Sequence, residues 1–466
     1  MGSMADDEKL VREIARRVAA ILGEDGDAEF SVSFGLVDSA VTAAVKAQLA
    51  WQWDFSLASR TGIINGARAA LLSGESVREL AELSIEETGM GRADDKAAKI
   101  RLAIEWTPGP EFFRANALTG DHGLAIEELS PFGVIASLTP SIDPAATAIN
   151  NAICMISGGN GVVFAPHPSA ARTTARAAEM LSAALVKLGA PEGLVSAVSS
   201  ASLENLEGLM NHESVSLLCV TGGRSAVSSA LRSGKPTIAA GPGNPPVLVD
   251  STADLGAAAR DLVSGCSFDN NASCVGEKSL FVVHRAADEL VGRMTAEGAL
   301  LLPNPRDVRR LLDVLFKDGR ARRSMMGRSA GCMLSKAGIS AADARVILVE
   351  TGESHPFVQE ELLAPILPIV RVADFADGLA ASVRTERSNR HSAAIHSTNI
   401  NNMSVMARAI GTALFTKNAP SFSSIGYNGD CPTAFTIATT TGQGPTTPLS
   451  FCRTRRCVLS GSFRIV

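Results

Sequence analysis

The sequence is poor in the features that indicate a nucleic-acid, metal or membrane protein. It has one tyrosine, three tryptophans and a net charge of −5 in 466 residues, which argues against a basic, aromatic nucleic-acid surface. Its eight cysteines form no Cys-x-x-Cys pair, so neither a disulfide framework nor a zinc ribbon is predicted, and we expect no metal. The longest uncharged stretch, residues 144–166, is interrupted by asparagines and glycines and predicts no membrane helix.

The hydrophobic pattern predicts an α/β protein. Helical periodicity dominates residues 37–117, and strand and helix patterns then alternate, first over residues 133–240 and again from residue 247 onward. Alternation of this kind is typical of parallel sheets covered by helices, which bind ligands at the carboxyl ends of their strands. The N-terminus has no secretory pattern, and scattered cysteines suit a reducing compartment, so we expect a cytoplasmic protein.

We divide the chain into four parts. Residues 1–27 contain an amphipathic helix, residues 6–22, and a Gly/Asp-rich linker. This helix is either a docking peptide or a first helix packed on its own domain. Residues 28–240 form the first α/β domain with an extended excursion at 118–131, residues 241–432 form the second, and residues 433–466 form a C-terminal return ending in a strand.

One cysteine stands out from the other seven by its position. Cys274 lies in the small-residue loop 267–278, directly before the apolar run 279–283, which predicts a strand. A loop that is anchored by a strand can hold a thiol rigidly and still leave it reachable, as covalent catalysis requires. A lone cysteine in a loop is nevertheless structural or incidental in most proteins, so the position alone does not assign a function.

Several separate motifs together resemble one family. The sequence resembles aldehyde dehydrogenases, and specifically the CoA-acylating propionaldehyde and acetaldehyde dehydrogenases of bacterial microcompartments. The segments that carry the resemblance are Thr139-Pro140-Ser141, Pro144-Ala145-Ala146-Thr147, Ile149-Asn150-Asn151-Ala152-Ile153, Val163-Phe164-Ala165-Pro166-His167-Pro168, Gly241-Pro242-Gly243-Asn244-Pro245-Pro246, the Cys274 loop, His355-Pro356-Phe357 with Glu361, and Arg455-Arg456-Cys457-Val458-Leu459.

The resemblance implies an aldehyde dehydrogenase-like fold, with two Rossmann-type parallel α/β domains and a small β excursion for oligomerisation. It also implies a reaction in which Cys274 attacks a short aldehyde, hydride passes to NAD⁺, and coenzyme A takes the acyl group from the cysteine. Acid-forming relatives use a glutamate to activate water, and we align that position with Ala239, which cannot act as a base. An acid-forming enzyme and a catalytically weak, shell-associated protein are the alternatives.

The resemblance also implies a set of cofactor-binding residues. Glu361 corresponds to the glutamate that holds the nicotinamide ribose. The Gly222-Gly223 segment, which leads into a helix, corresponds to the turn that lies near the cofactor phosphates in the family. The proline and histidine of the Ala165–Pro168 segment border the adenosine, where Ala165 replaces a lysine found in many relatives. The residues expected to bind the cofactor are Thr139, Pro140, Ala165, Pro166, His167, Gly222, Gly223, Arg224 and Glu361.

Asp143 is a departure from the family pattern. This branch usually has asparagine there, and the asparagine amide together with the cysteine N–H stabilises the oxyanion. An ionised Asp143 would repel that charge. Three explanations are open: a protonated Asp143 that donates, an Asp143 that faces a cationic aldehyde, or a site in which the Cys274 N–H suffices, with Asn150 or Asn151 nearby. We favour a protonated, catalytic Asp143.

The resemblance implies partners as well. A homodimer or homotetramer is expected, in which the excursion and the terminal run pair across subunits, since extended segments seek a partner strand. Because enzymes of this branch often carry an amphipathic leader, we expect residues 6–22 to dock on a shell protein and place the chain inside a microcompartment.

Overall fold

The computed structural model describes residues 32–198, 201–340, 343–427 and 431–461. The predicted helix over residues 6–22 lies outside these ranges. The α-helices, α1 to α15 in chain order, are Val32–Asp54, Leu57–Ser73, Ser76–Thr88, Ala93–Trp106, Pro144–Ser157, Ala171–Lys187, Leu203–Asn211, Arg224–Arg232, Leu255–Ser267, His284–Ala296, Pro305–Leu315, Ala330–Lys336, Pro356–Gln359, Phe375–Glu386 and Ile400–Ile410.

The strands define two parallel sheets and three small antiparallel pieces. The strands, β1 to β19 in chain order, are Asn116–Gly120, Gly123–Pro131, Val134–Leu138, Gly161–Ala165, Val195–Ala197, Val215–Thr221, Thr237–Ala240, Pro246–Val249, Ser279–Val283, Ala299–Leu301, Phe316–Lys317, Arg320–Ala321, Val346–Glu350, Ile366–Val372, Ser392–His396, Leu414–Lys417, Ile437–Ala438, Gly444–Pro445 and Cys452–Ser460.

The first parallel sheet has the strand order β5-β4-β3-β6-β7, and the second has the order β10-β13-β14-β9-β8-β15-β16. Strands such as β3 and β4 are buried at every residue, which is typical of parallel strands covered by helices on both faces. The predicted α/β class with two parallel sheets is confirmed. The functional division of the chain into domains stays a prediction.

The excursion and the terminal run pair with each other within one chain. Strand β2 runs antiparallel to β19 from Gly123 opposite Ser460 to Pro131 opposite Cys452, and β1 pairs with the other edge of β2. Within the described chain these two segments are therefore partners of each other, and the expectation that they also pair across subunits stays a prediction. Strand β1 is the edge of this sheet, and no other strand of the described chain pairs with its outer side. All five of its residues are exposed.

The pattern located most long elements but missed short ones. Strands β10 and β16, the β11–β12 hairpin and helix α12 were not predicted, because segments of two to seven residues carry too little periodicity. Among the described helices, none is both long and apolar enough to cross a bilayer.

The topology brings loops from both sheets to one cleft. The carboxyl ends of β3, β4, β6 and β7 lead into Pro140, His167, Gly222 and Gly241, all of which line one cavity. The opposite wall comes from segments that directly precede strands of the second sheet, and these carry Cys274, Glu361, Leu363 and His391.

Candidate active site

Cys274 lines a cavity of about 480 Å³ between the two sheets. Its side chain is half-buried, and Glu361 and His391 share the same cavity. A larger, more open cavity of about 810 Å³ near Arg328 contains neither Cys274 nor Glu361. The smaller cavity is therefore the one that places Cys274, the thiol singled out by the sequence, beside Glu361 and His391.

The backbone before Cys274 adopts a conformation that residues other than glycine rarely adopt. Asp269, Asn270 and Asn271 have φ of +52°, +53° and +55°, in the left-handed region. A non-glycine residue in this region costs on the order of 1–3 kcal/mol and persists only where its surroundings hold it. Aspartate and asparagine tolerate the region better than other residues, which is the local reason for this sequence.

The side chains of this turn provide the anchors that hold it. Asn271 Nδ2 donates to the carbonyls of Glu277 (2.8 Å) and Ala364 (3.1 Å), and Asn270 Nδ2 donates to Gly327 O (2.9 Å). Asp269 Oδ1 accepts from the backbone N–H of Arg92 at 2.9 Å. The turn is thus tied to three other segments of the chain.

Gly91 makes room for Asp269. Its φ is +86°, and a Cβ at this position would lie 1.9 Å from Asp269 Oδ1. Glycine is therefore required here both for the backbone conformation and for the close approach of the carboxylate.

Two lysines of α4 form a buried ionic cluster with two aspartates. Lys96 Nζ lies 2.9 Å from Asp143 Oδ1 and 2.7 Å from Asp269 Oδ2, while Lys99 Nζ lies 3.0 Å and 2.7 Å from the same atoms. Lys99 also donates to Ala272 O at 2.9 Å. Asp143 is 12% exposed, and the other three side chains are at most 2% exposed.

This cluster shows that the hypothesis of a protonated Asp143 is wrong. Burial by itself would raise the pKa of Asp143, but the ammonium groups of Lys96 and Lys99 outweigh it and hold the pKa below its ordinary value. Asp143 precedes α5 as its N-cap residue, yet its carboxylate caps no backbone N–H and turns to the lysines instead. An ionised carboxylate has no proton to donate to an oxyanion.

Asn150 and Asn151 do not supply the missing donor either. Asn150 Nδ2 donates to Thr107 Oγ1 (2.8 Å) and Thr433 O (3.1 Å), and Asn151 Nδ2 donates to Ser137 Oγ (3.3 Å). Both side chains are fully buried and neither lines the cavity.

Lys278 is a third buried lysine, on the strand side of the loop. Its side chain is fully buried, and its Nζ donates to Asn271 Oδ1 (2.8 Å), Ser273 O (2.9 Å) and Asn271 O (3.2 Å). Burial lowers its pKa to about 8, so the ammonium form prevails at neutral pH.

Burial is the main reason that the resting thiol is protonated. Burial, with Glu361 and Asp143, raises the pKa of Cys274 to about 12, while Lys278 and Lys99 act in the opposite direction. Burial also raises the pKa of Glu361 to about 7. Glu361 is thus partly ionised at neutral pH and is a carboxylate of the cavity wall able to accept a proton.

The cofactor residues predicted from the sequence fall into two groups. The cavity wall includes Pro140, His167, Gly222, Gly223 and Glu361. Four others lie outside it: Thr139 is buried with its Oγ1 3.2 Å from Thr174 Oγ1, Ala165 and Pro166 are buried at the end of β4, and Arg224 is the exposed first residue of α8. The assignment of these nine residues to the cofactor stays a prediction.

The Gly222–Gly223 turn fits a phosphate group. A Cβ added at Gly223 would meet no atom within 4 Å, so open space lies in front of the turn, and Gly223 caps α8 without a side-chain hydrogen bond. Free N–H groups at a helix N-terminus bind anions. The residues present therefore fit the pyrophosphate of a dinucleotide or of coenzyme A.

The alignment of the missing water-activating glutamate with Ala239 stays a prediction. Ala239 is fully buried and packs in the core of the first sheet, whereas its neighbour Ala240 lines the cavity. Successive strand residues point to opposite faces, so these two alanines lie on opposite sides of β7. The position facing the cavity is Ala240, and it too lacks a base.

Sequence analysis missed the side chains that hold the loop and one that lines the cavity. Lys96, Lys99, Asp269 and Lys278 look like surface charges in the sequence, and the pairing of Lys99 with Asp269 joins residues 170 positions apart. His391 lines the cavity and is fully buried, and burial lowers its pKa to about 4, so the ring is neutral. The spacing of Lys96 and Lys99, one helical turn apart, was the one available signal.

Comparisons with known proteins place the chain in a family. The model of the aldehyde dehydrogenase family matches residues 34–308, and the chain belongs to this family. It is 45% identical over 442 residues to the acetylating acetaldehyde dehydrogenase EutE of Salmonella typhimurium, and 41% identical over 434 residues to the CoA-propanoylating propanal dehydrogenase of the same species. Each alignment covers 93% of both chains.

Solved structures agree with this placement. The propionaldehyde dehydrogenase of Rhodopseudomonas palustris with bound CoA and an acylated cysteine is 42% identical, with a TM-score of 0.89 over 91% of this chain and 97% of that chain. A propionaldehyde dehydrogenase from a fucose-utilisation microcompartment of Clostridium phytofermentans is 39% identical, with a TM-score of 0.90 over 92% and 98% of the two chains. The resemblance identified from the sequence is confirmed.

The raised pKa of Cys274 predicts that its reactivity increases with pH well above the range of an ordinary thiol. Alkylation by iodoacetamide should keep rising beyond about pH 9, because the thiol pKa lies near 12. Asp143→Asn removes a negative charge that raises this pKa. Alkylation at a fixed pH near 8 should therefore accelerate about two- to tenfold, since a fall of up to about one unit in the thiol pKa raises the thiolate fraction by up to about tenfold. Rates are measured by labelling after subtraction of a Cys274→Ala background.

Asp94→Asn is the matched control for that substitution. Asp94 is an exposed carboxylate on α4, the helix that carries Lys96 and Lys99, and its loss should leave the alkylation rate unchanged. A plateau of the rate below about pH 9 in the unmodified chain, or an Asp143→Asn rate equal to that of Asp94→Asn, would contradict the proposed electrostatics.

Proposed function

We propose that the chain is a CoA-acylating aldehyde dehydrogenase that oxidises a short-chain aldehyde, acetaldehyde or propionaldehyde, to its acyl-CoA with NAD⁺. The observation that carries this proposal is the cavity wall itself. It combines a reachable Cys274 with an anion-binding Gly222–Gly223 turn, and it has alanine at the position of the water-activating base. The acetylating and CoA-propanoylating relatives support the same activity.

In this mechanism Cys274 serves both half-reactions. Its thiolate attacks the aldehyde carbon and holds it as a thiohemiacetal, with Glu361 as the nearby proton acceptor. Bound NAD⁺ supplies the hydride acceptor. Loss of hydride leaves the acyl group on Sγ as a thioester, and Cys274 is then the leaving group when the thiol of coenzyme A takes the acyl group.

The second candidate is an acid-forming dehydrogenase, and Glu361 is the residue that favours it. This carboxylate shares the cavity with Cys274 and has a pKa of about 7, as a base for water requires. Its Oε1 accepts the Gly243 N–H at 3.4 Å, which holds it on the side of the segment leading into β8. Ala240 faces the cavity where the acid-forming base is expected, so we place acid formation second.

The two candidates differ in their need for coenzyme A. With propionaldehyde and NAD⁺, steady NADH formation should require added CoA, and without it a single burst of about one NADH per active site should appear. Cys274→Ala should abolish both phases. Continuous NADH formation at the same rate without CoA would identify water as the acceptor and overturn the proposal.

We propose further that the chain forms a homodimer or homotetramer and docks on a microcompartment shell through residues 6–22. The three-stranded sheet supports the first part, since it leaves Leu118 51% and Val458 64% exposed on strands with free edges. The Clostridium phytofermentans relative comes from a microcompartment, which supports the second. A cytoplasmic location inside such a compartment follows from the same proposal.

Removal of residues 1–27 tests the docking proposal. The truncated chain should keep its full turnover and oligomeric state but lose co-purification with shell protein, because an amphipathic helix presents its apolar face to a groove on a partner. Loss of folding or turnover would mean that the helix packs on its own domain.

A further inference from the structure

The reaction proposed above places a negative charge on the carbonyl oxygen of the substrate, and this charge needs hydrogen-bond donors. The side chains expected to supply one do not: Asp143 is an ionised acceptor, and Asn150 and Asn151 are committed elsewhere. The backbone N–H of Cys274 remains, and it donates to no residue that the structure describes. An uncommitted N–H beside a reactive thiol is the group that an oxyanion requires.

The carbonyls directly before this N–H are held by lysines from two sides. Lys278 Nζ lies 2.9 Å from Ser273 O, and Lys99 Nζ lies 2.9 Å from Ala272 O. Both ammonium groups are almost completely buried, so water does not compete for these hydrogen bonds. The orientation of two successive peptide planes is thereby fixed.

The orientation of a carbonyl determines the direction of the next N–H. The chain has no cis peptide bond among the described residues, and in a trans peptide the C=O of residue 273 and the N–H of residue 274 point in opposite directions. Lys278 is not part of the cavity wall, whereas Cys274 is. A Ser273 carbonyl directed at Lys278 therefore turns the Cys274 N–H away from the lysine, on a residue that lines the cavity.

We propose that Lys278 is a positioning residue that holds the Ser273–Cys274 peptide with its N–H aimed at the substrate oxyanion, with Lys99 fixing the preceding peptide. The ammonium also polarises that peptide and makes the N–H a stronger donor. This role rests on the proposed acyl chemistry of Cys274. It explains how the chain dispenses with the amide donor that Asp143 replaces.

Two reactions of the same thiolate separate this role from a structural one. Acylation of Cys274 by p-nitrophenyl acetate passes through an oxyanion as the thiolate adds to the carbonyl and p-nitrophenolate leaves. Alkylation by iodoacetamide displaces iodide and forms no oxyanion. The ratio of the two first-turnover rates cancels the thiolate fraction, and neither reaction needs NAD⁺ or coenzyme A. A failure of the proposed aldehyde activity therefore leaves this test intact.

In Lys278→Met the ratio of acylation to alkylation should fall at least about tenfold, approaching the 10²–10³-fold cost of removing an oxyanion donor. Lys235→Met is the matched control, because Lys235 Nζ also donates to two backbone carbonyls, those of His212 and Val215, both at 2.6 Å and outside the cavity. The control should lose stability but keep the ratio of the unmodified chain.

If folded Lys278→Met keeps the ratio, the proposal is overturned, whether the acylation and alkylation rates both fall or both stay the same. Lys278 would then have only a structural role. Where Lys278→Met does not fold, Lys278→Gln decides the question, since it keeps N–H donors but lacks the charge. The ratio of acylation to alkylation in Lys278→Gln should fall at least about threefold, which is less than the fall expected when an oxyanion donor is lost completely. A ratio equal to that of Lys235→Met would contradict the assignment.

Discussion

The ionic cluster of Lys96, Lys99, Asp143 and Asp269 is the constraint on which the active-site loop depends. Each buried ion costs several kcal/mol to desolvate, and this cost is offset only when every charge is paired and hydrogen-bonded. Each lysine here contacts both aspartates, at 2.7–3.0 Å. The cluster joins α4, the start of α5 and the left-handed turn before Cys274, so two other segments hold the turn in its costly conformation.

The same cluster accounts for the departure at Asp143. An isolated aspartate in the cavity wall would repel the charge that develops on the substrate, but one paired with two lysines is largely neutralised. The cluster also explains how the chain accommodates an aspartate where relatives are expected to have an amide. The charges of the two lysines and two aspartates nearly cancel. In place of a side-chain amide, the backbone N–H of Cys274 stabilises the oxyanion.

Part of the fold could be predicted from the sequence, because strands and helices carry periodicity, as in β9, which was predicted at residues 279–283 and lies there. The Cys274 loop could be found from its position before a strand. The side chains that position it could not, because Lys99 meets Asp269 only in the folded chain, and the five-residue spacing from Ser273 to Lys278 does not indicate that this lysine is buried. The protonated Asp143 was wrong because Lys96 and Lys99, which pair with it, lie 44 to 47 residues earlier in the chain.

The intact mass of the protein tests the central claim most directly. After incubation with propionaldehyde and NAD⁺ but no coenzyme A, the account predicts one propionyl group on Cys274 that persists in water and disappears on addition of coenzyme A. Cys274→Ala should gain no such group. An unmodified mass accompanied by continuous release of propionate would contradict the account, because it would mean that water reaches the thioester and that a base in the cavity activates it.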